Sequence, residues 1–223
     1  LRVCNCIPFS TNTTLMEKVY TDGYPNLLLS YQEDLIRYSE YAALAYCSRS
    51  SAGLKTGVLE EACNCKLCHG QTKFVEAIYR GIVSAVIFRD EEMKEIILSI
   101  KGTTNKKEWV IDGKAYKKKY KWIESGESVC HGCMVHAGFY NAAKVTWKEI
   151  VKPLLIPLHN QYKGYSIAIV GHSLGGSIGI FIGNELKSMG RDCRILTFGS
   201  PKIGDSHLAQ WMDNEWNVEG VSI

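Results

Sequence analysis

At 223 residues the chain is of a length that suits one α/β domain, and such a domain buries roughly 70–75% of its unfolded surface with no staple required. An apolar fraction of 46% and a charged fraction of 22% exclude a disordered chain, and no apolar run approaches the ~18 residues of a membrane-spanning helix. The net charge of +3, from 26 basic and 23 acidic residues, is too balanced to argue for nucleic acid by itself. In chain order, Leu35, Tyr38, Ala42, Ala45 and Tyr46 recur near helical spacing between about Leu28 and Tyr46, predicting an amphipathic helix. A cysteine-bearing loop follows. Phe74–Tyr79, Val83–Phe88 and Glu95–Ile100 read as strands, the last two joined as a hairpin through Arg89-Asp90-Glu91-Glu92. A helix is expected over Asn141–Leu155, its end disturbed by Pro153 and Pro157. Tyr165–Val170 suits a buried central strand, followed at once by a helix over Leu174–Met189 and a strand over Arg194–Phe198. His207–Trp216 reads as helix, and Val218–Ile223 begins another strand. Alternating strands and helices predict an α/β fold with a central, mostly parallel sheet flanked by helices. With no repeat and no linker in view, residues 1–223 are expected to form a single domain.

Nine cysteines are the unusual feature, at positions 4, 6, 47, 63, 65, 68, 130, 133 and 193. The chain opens Leu1-Arg2-Val3-Cys4-Asn5-Cys6, without an initiator Met or an apolar signal region, and reads as a processed or trimmed chain. Asn12-Thr13-Thr14 is a glycosylation sequon and agrees with secretion. Disulfides in an oxidising compartment are the default for these cysteines, and an odd count leaves at least one without a partner in this chain. Two other chemistries compete. Cys65-Lys66-Leu67-Cys68-His69 matches C-x-x-C-H of covalent haem attachment, and Cys63, Cys65, Cys68 and His69 with Cys130 and Cys133 would make a zinc set. Haem needs a pocket and a second axial ligand that the sequence does not place, and zinc needs two distant loops to meet.

Gly171-His172-Ser173-Leu174-Gly175 is G-x-S-x-G between an apolar strand and a helix, the context that gives the motif meaning. A strand turning sharply into a helix strains its middle residue, and flanking glycines remove Cβ atoms that would clash. The serine hydroxyl then stands at the carboxyl edge of the sheet above a helix N-terminus, where the helix dipole and backbone N–H groups stabilise a developing oxyanion. Ser173 is therefore the candidate nucleophile, with the Leu174 N–H as one oxyanion donor.

From Tyr41 onward the chain resembles the class 3 triacylglycerol lipases, the secreted lipases of fungi and yeasts. Four blocks carry the resemblance: Tyr41-Ala42-Ala43-Leu44-Ala45-Tyr46-Cys47; Leu98-Ser99-Ile100-Lys101-Gly102-Thr103-Thr104 through Trp109-Val110-Ile111-Asp112; Cys130-His131-Gly132-Cys133 with His136-Ala137-Gly138-Phe139; and Gly171–Gly176 with Thr197–Asp205. The resemblance implies an α/β-hydrolase fold and a serine esterase that cleaves acylglycerol esters at a lipid interface without cofactor or metal. It implies that Thr103 supplies the second oxyanion N–H, with Lys101 standing where the family carries Arg. It makes residues 105–113 a lid with Trp109 as its apolar plug, and it places Tyr46 and His172 along the substrate site. It pairs Cys130 with Cys133, and Cys47 with a cysteine near the family's C-terminus. His136 and Asp205 occupy structural positions.

The triad is incomplete in these residues. In α/β-hydrolases the acid and the base follow the nucleophile, yet after Ser173 come only His207 and the acids Glu185, Asp192 and Asp205 before it, none in a credible place. The family's Asp follows the strand that Val218–Ile223 begins, and its His comes later. The expectation is a C-terminally incomplete domain whose Asp and His lie beyond Ile223, which also accounts for the odd cysteine. A non-catalytic hydrolase-fold protein that binds lipid or a partner is the alternative, as is an esterase or phospholipase of the same family. Lys114–Trp122 is a basic run with interleaved aromatics; it reads as a solvated strand or as an attraction to an anionic lipid surface. Nucleic-acid binding has no fold-level support.

Overall fold

The computed structural model describes residues 25–47, 72–80, 83–102 and 117–216. Thr103, Trp109, the lid segment 105–113, the strand begun at Val218, Asn12 and the cysteines at 4, 6, 63, 65 and 68 lie outside the described residues.

The chain order is α1 (Pro25–Cys47), β1 (Thr72–Arg80), β2 (Val83–Asp90), β3 (Glu95–Ile100), β4 (Lys117–Lys119), β5 (Met134–His136), α2 (Ala137–Thr146), a wide helical stretch (Trp147–Leu155), α3 (Ile156–Gln161), β6 (Ser166–His172), α4 (Leu174–Ser188), β7 (Cys193–Phe198) and α5 (Ser206–Trp216). Among the described residues one sheet has five strands in the order β1-β2-β3-β6-β7. β2 pairs antiparallel with both β1 and β3, whereas β3, β6 and β7 pair in parallel. Only β2 therefore runs against the others, and the expectation of a mostly parallel sheet holds by direction. None of the described helices is long and apolar enough to cross a membrane.

The unalternating apolar runs have a simple cause: both faces of the sheet are covered. Ile96, Leu98, Ile100, Ile167 and Ile169 point into a core shared with Phe139, Trp147, Ile178, Phe181 and Ile182. Their neighbours Ile97, Ala168 and Val170 point the other way, onto Tyr38, Tyr41, Ala42, Leu44 and Ala45 of α1. Strand period two thus sends one set to α2 and α4 and the other to α1. The spacing of Tyr38, Tyr41, Ala42 and Ala45 is the i, i+3, i+4, i+7 stripe of a helix with one buried face.

The β2–β3 hairpin is fixed by Asp90, whose Oδ1 accepts the N–H groups of Glu92 and Met93 at 3.0 Å each. Its other oxygen is buried against Arg37 and Tyr41. One expectation needs correcting. The helix begins at Ala137 rather than Asn141 and passes both prolines to end at Gln161. Its start is set by His136, whose Nδ1 accepts the Phe139 N–H at 3.4 Å while the two rings stack 4.0 Å apart. It survives Pro153 because the Trp147–Leu155 stretch winds wide, which leaves room for a ring that would clash with the carbonyl one turn back.

The described part of the basic run fits the solvated-strand reading for its lysines, though not for Tyr120. Lys117 and Lys119 are exposed on β4, which pairs with β5. Lys118 turns to the other side, donating to Asn141 Oδ1 at 3.0 Å and lying over the Tyr140 ring. Tyr120 is fully buried among Tyr140, Phe181 and Trp211. Tyr120 thus belongs to the core, while Trp122 is half-buried against Trp211.

Candidate active site

The carboxyl ends of β3, β6 and β7 converge at Ser173. Ile100 pairs with Gly171, and His172 with Phe198. Ser173 sits between β6 and α4 with φ 56° and ψ −126°, a backbone region that side chains seldom occupy and that costs about 1–3 kcal/mol. The fold holds it there at both ends. Its N–H donates to the Phe198 carbonyl at 2.9 Å, and its own carbonyl accepts from Gly176 at 3.0 Å and Ser177 at 3.3 Å. A Cβ on Gly171 would overlap the Gly175 carbonyl group, and one on Gly175 would overlap the carbonyl of Ile100. Both glycines are thus required by close backbone approach. Leu174, the first residue of α4, is buried, and N–H groups of a first helical turn have no acceptor four residues back.

Tyr46 reaches this edge from α1. Its hydroxyl accepts the Gly102 N–H at 3.1 Å and lies 2.8 Å from His172 Nδ1. Its ring meets the His172 ring edge-on, with the Lys101 ammonium 5.3 Å from its centroid. Burial raises the Tyr46 pKa and outweighs the lowering effect of the Gly102 N–H, so the phenol stays a neutral hydroxyl. Sequence reasoning singled out Tyr46 and His172 separately. No signal in the sequence joins two residues 126 positions apart, and none assigned Lys101 a partner.

Of the other described histidines, His136, His159 and His207 are engaged elsewhere, and His131 is exposed in the turn between Cys130 and Cys133. His136 caps α2, and burial lowers its pKa. His159 Nε2 donates to the Tyr165 carbonyl at 2.9 Å and its Nδ1 accepts from Arg191 at 3.0 Å. His207 Nδ1 is 3.7 Å from Asp205, and its ring lies 4.0 Å from the position of a Cβ on Gly132. Asp205 is committed to the start of α5, where its Oδ1 accepts the Leu208 N–H at 3.0 Å. Glu185 is buried, and its two oxygens accept the N–H groups of Ile123 and Glu124 at 2.7 and 2.9 Å. Each acid rejected from the sequence as a triad member and placed in a bond here thus has a structural task.

Cys130 and Cys133 form a disulfide, which removes both sulfurs from the zinc set considered above. Cys193, the first residue of β7, is a buried free thiol; burial pushes its pKa up to about 12, leaving it an unreactive donor to the Gly183 carbonyl. Among the described residues no group of three His, Cys, Asp or Glu side chains is arranged to hold a metal.

A strained serine on a strand-to-helix turn, with Gly102 beyond the neighbouring strand close against it, is the geometry of nucleophile elbows. The sequence model of the family described as Lipase (class 3) matches residues 97–221, which include this edge and more than half of the chain. The chain belongs to the class 3 lipase family. This class 3 lipase-family chain is 26% identical over 191 residues to secreted mono- and diacylglycerol lipase 1 of Fusarium solani, covering 82% of the chain and 53% of the relative. It is 43% identical over 89 residues to secreted mono- and diacylglycerol lipase 2 of Gibberella zeae, covering 39% and 22%. Among solved structures, the Yarrowia lipolytica LIP2 lipase superposes with a TM-score of 0.68 at 30% identity, covering 82% of this chain and 64% of that one. In each case the chain spans less than two thirds of the relative's length. The fold is that of the α/β-hydrolases, as the resemblance in the sequence implied.

Proposed function

We propose that the protein is a secreted serine ester hydrolase that cleaves acylglycerols at a lipid interface, with Ser173 as nucleophile. The observation that carries this reading is the strained Ser173 held above the N-terminus of α4. Family membership and the names of the relatives, secreted mono- and diacylglycerol lipases, support the substrate class and the secretion. In the reaction, Ser173 Oγ attacks the ester carbonyl carbon as its proton passes to a histidine base. The tetrahedral oxyanion is held by the N–H groups of Leu174 and Thr103, and two such donors fit acyl transfer. Collapse breaks the bond to the glyceryl oxygen, which leaves with the proton from the histidine. Water, deprotonated by the same base, then attacks the acyl-Ser173 carbonyl and releases the fatty acid. The base and the Asp that orients it are expected beyond Ile223. Tyr46 and His172 line the site, residues 105–113 form a lid with Trp109 as its plug, and no cofactor takes part. Ser173→Ala in the full-length protein should lower kcat on a soluble ester by about 10⁴-fold or more; hydrolysis at the wild-type rate would refute the assignment and favour a lipid- or partner-binding role.

A further inference from the structure

Three parts of the chain meet at the Tyr46 hydroxyl: the end of α1, the residue that leaves β3, and the last residue of β6. The Gly102 N–H donates to the hydroxyl oxygen at 3.1 Å, and His172 Nδ1 lies 2.8 Å away. The phenol oxygen accepts from Gly102 with one lone pair and keeps a proton and a second lone pair, so it bonds His172 Nδ1 in either imidazole tautomer. Space around Gly102 is used up: a Cβ there would overlap the Tyr46 hydroxyl, lie 2.6 Å from the His172 carbonyl and 3.2 Å from Ser173 Cβ. Gly102 is thus clamped between the hydroxyl and the His172–Ser173 turn. Lys101 presses its ammonium on the face of the same ring, 5.3 Å from the centroid.

Resting on the ester-hydrolase reading above, we propose that Tyr46 is a positioning residue: its hydroxyl, bridging Gly102 N–H and His172 Nδ1, fixes the end of β3 against the Ser173 elbow. Thr103, the expected second oxyanion donor, follows Gly102 directly in the chain. Its N–H has to meet an oxygen to within a few tenths of an ångström in the transition state, whereas ground-state binding of the acyl chain does not require that register. Loss of the bridge is therefore expressed in kcat and not in KM. In this role His172 acts through Tyr46.

The test is steady-state hydrolysis of p-nitrophenyl butyrate, kept monomeric in solution, by the full-length protein. Tyr46→Phe should lower kcat about ten- to hundredfold with KM changed less than about twofold. His172→Leu should match it, while His172→Asn, whose amide offers a hydrogen-bonding atom near the Nδ1 position, should restore most of the rate. The double variant Tyr46→Phe/His172→Leu should be no slower than the slower single variant, because both remove one bond. Should Tyr46→Phe fail to fold, the contrast between His172→Leu and His172→Asn reads the same bond. An unchanged kcat in Tyr46→Phe, or multiplying effects in the double variant, would overturn the proposal while Ser173→Ala still abolished turnover. Retained turnover in Ser173→Ala would instead sink the reading on which it rests.

Discussion

Ser173 keeps an unfavourable backbone conformation because its surroundings leave it no other. The bond to Phe198 anchors its N–H to β7, and the glycines on either side permit contacts that any Cβ would forbid. Gly175 is the sharper case, since a methyl group there would overlap the carbonyl of Ile100 on the adjacent strand. Gly175→Ala must push α4 away from β3, at a cost of about 3 kcal/mol, and should remove most activity by displacing the elbow. Thermal unfolding of the purified variant checks this; a melting temperature within a degree of wild type would show that the edge can yield. This part of the site was legible in the sequence, because the glycines and the serine are local and their spacing states the turn. The Tyr46–His172–Gly102 bridge was not, because a hydrogen bond between an N-terminal helix and two strand ends leaves no periodic or local trace.

Among the elements, the β2–β3 hairpin shows how a charged turn is built into an apolar sheet. Burial alone would raise the Asp90 pKa, but the Arg37 guanidinium, the Met93 N–H and the Tyr41 hydroxyl together hold it below the usual carboxylate range. A depressed folded pKa contributes stability that is present above the unfolded value of about 4, and that is lost as pH falls through it toward the folded value. Asp90→Asn should cost about 3 kcal/mol at neutral pH, since it leaves Arg37 beside the core with only the exposed Glu92 carboxylate at 3.8 Å as a charged partner, and should flatten the loss of stability below about pH 5. Urea unfolding as a function of pH measures both; parallel curves for the two proteins would contradict the assignment. The strands and the hairpin were readable because their apolar runs and turn residues are contiguous. The extension of the helix through Pro153 to Gln161 was not, because a wide turn that accommodates a proline is a tertiary accommodation rather than a propensity. The inward face of the basic run escaped for a similar reason: Tyr120 alternates with exposed lysines, and only β5 and α4 reveal which side is buried.

For the whole molecule, the exposed Lys117, Lys119 and Lys121 remain as candidates for attraction to an anionic lipid surface. Each contributes about 1 kcal/mol near such a surface, screened by salt. Binding to vesicles containing phosphatidylserine should weaken severalfold in the triple Lys→Gln variant and on raising salt; indifference to both would end the idea. The central claim, that the class 3 lipase-family elbow presents a working nucleophile, is tested most directly by incubating the full-length protein with a fluorophosphonate and mapping the adduct by mass spectrometry. The expected result is one covalent phosphonyl group, on Ser173, with labelling and ester hydrolysis lost in parallel in time. Labelling elsewhere, or no adduct on Ser173 in a folded protein that hydrolyses esters, would contradict it.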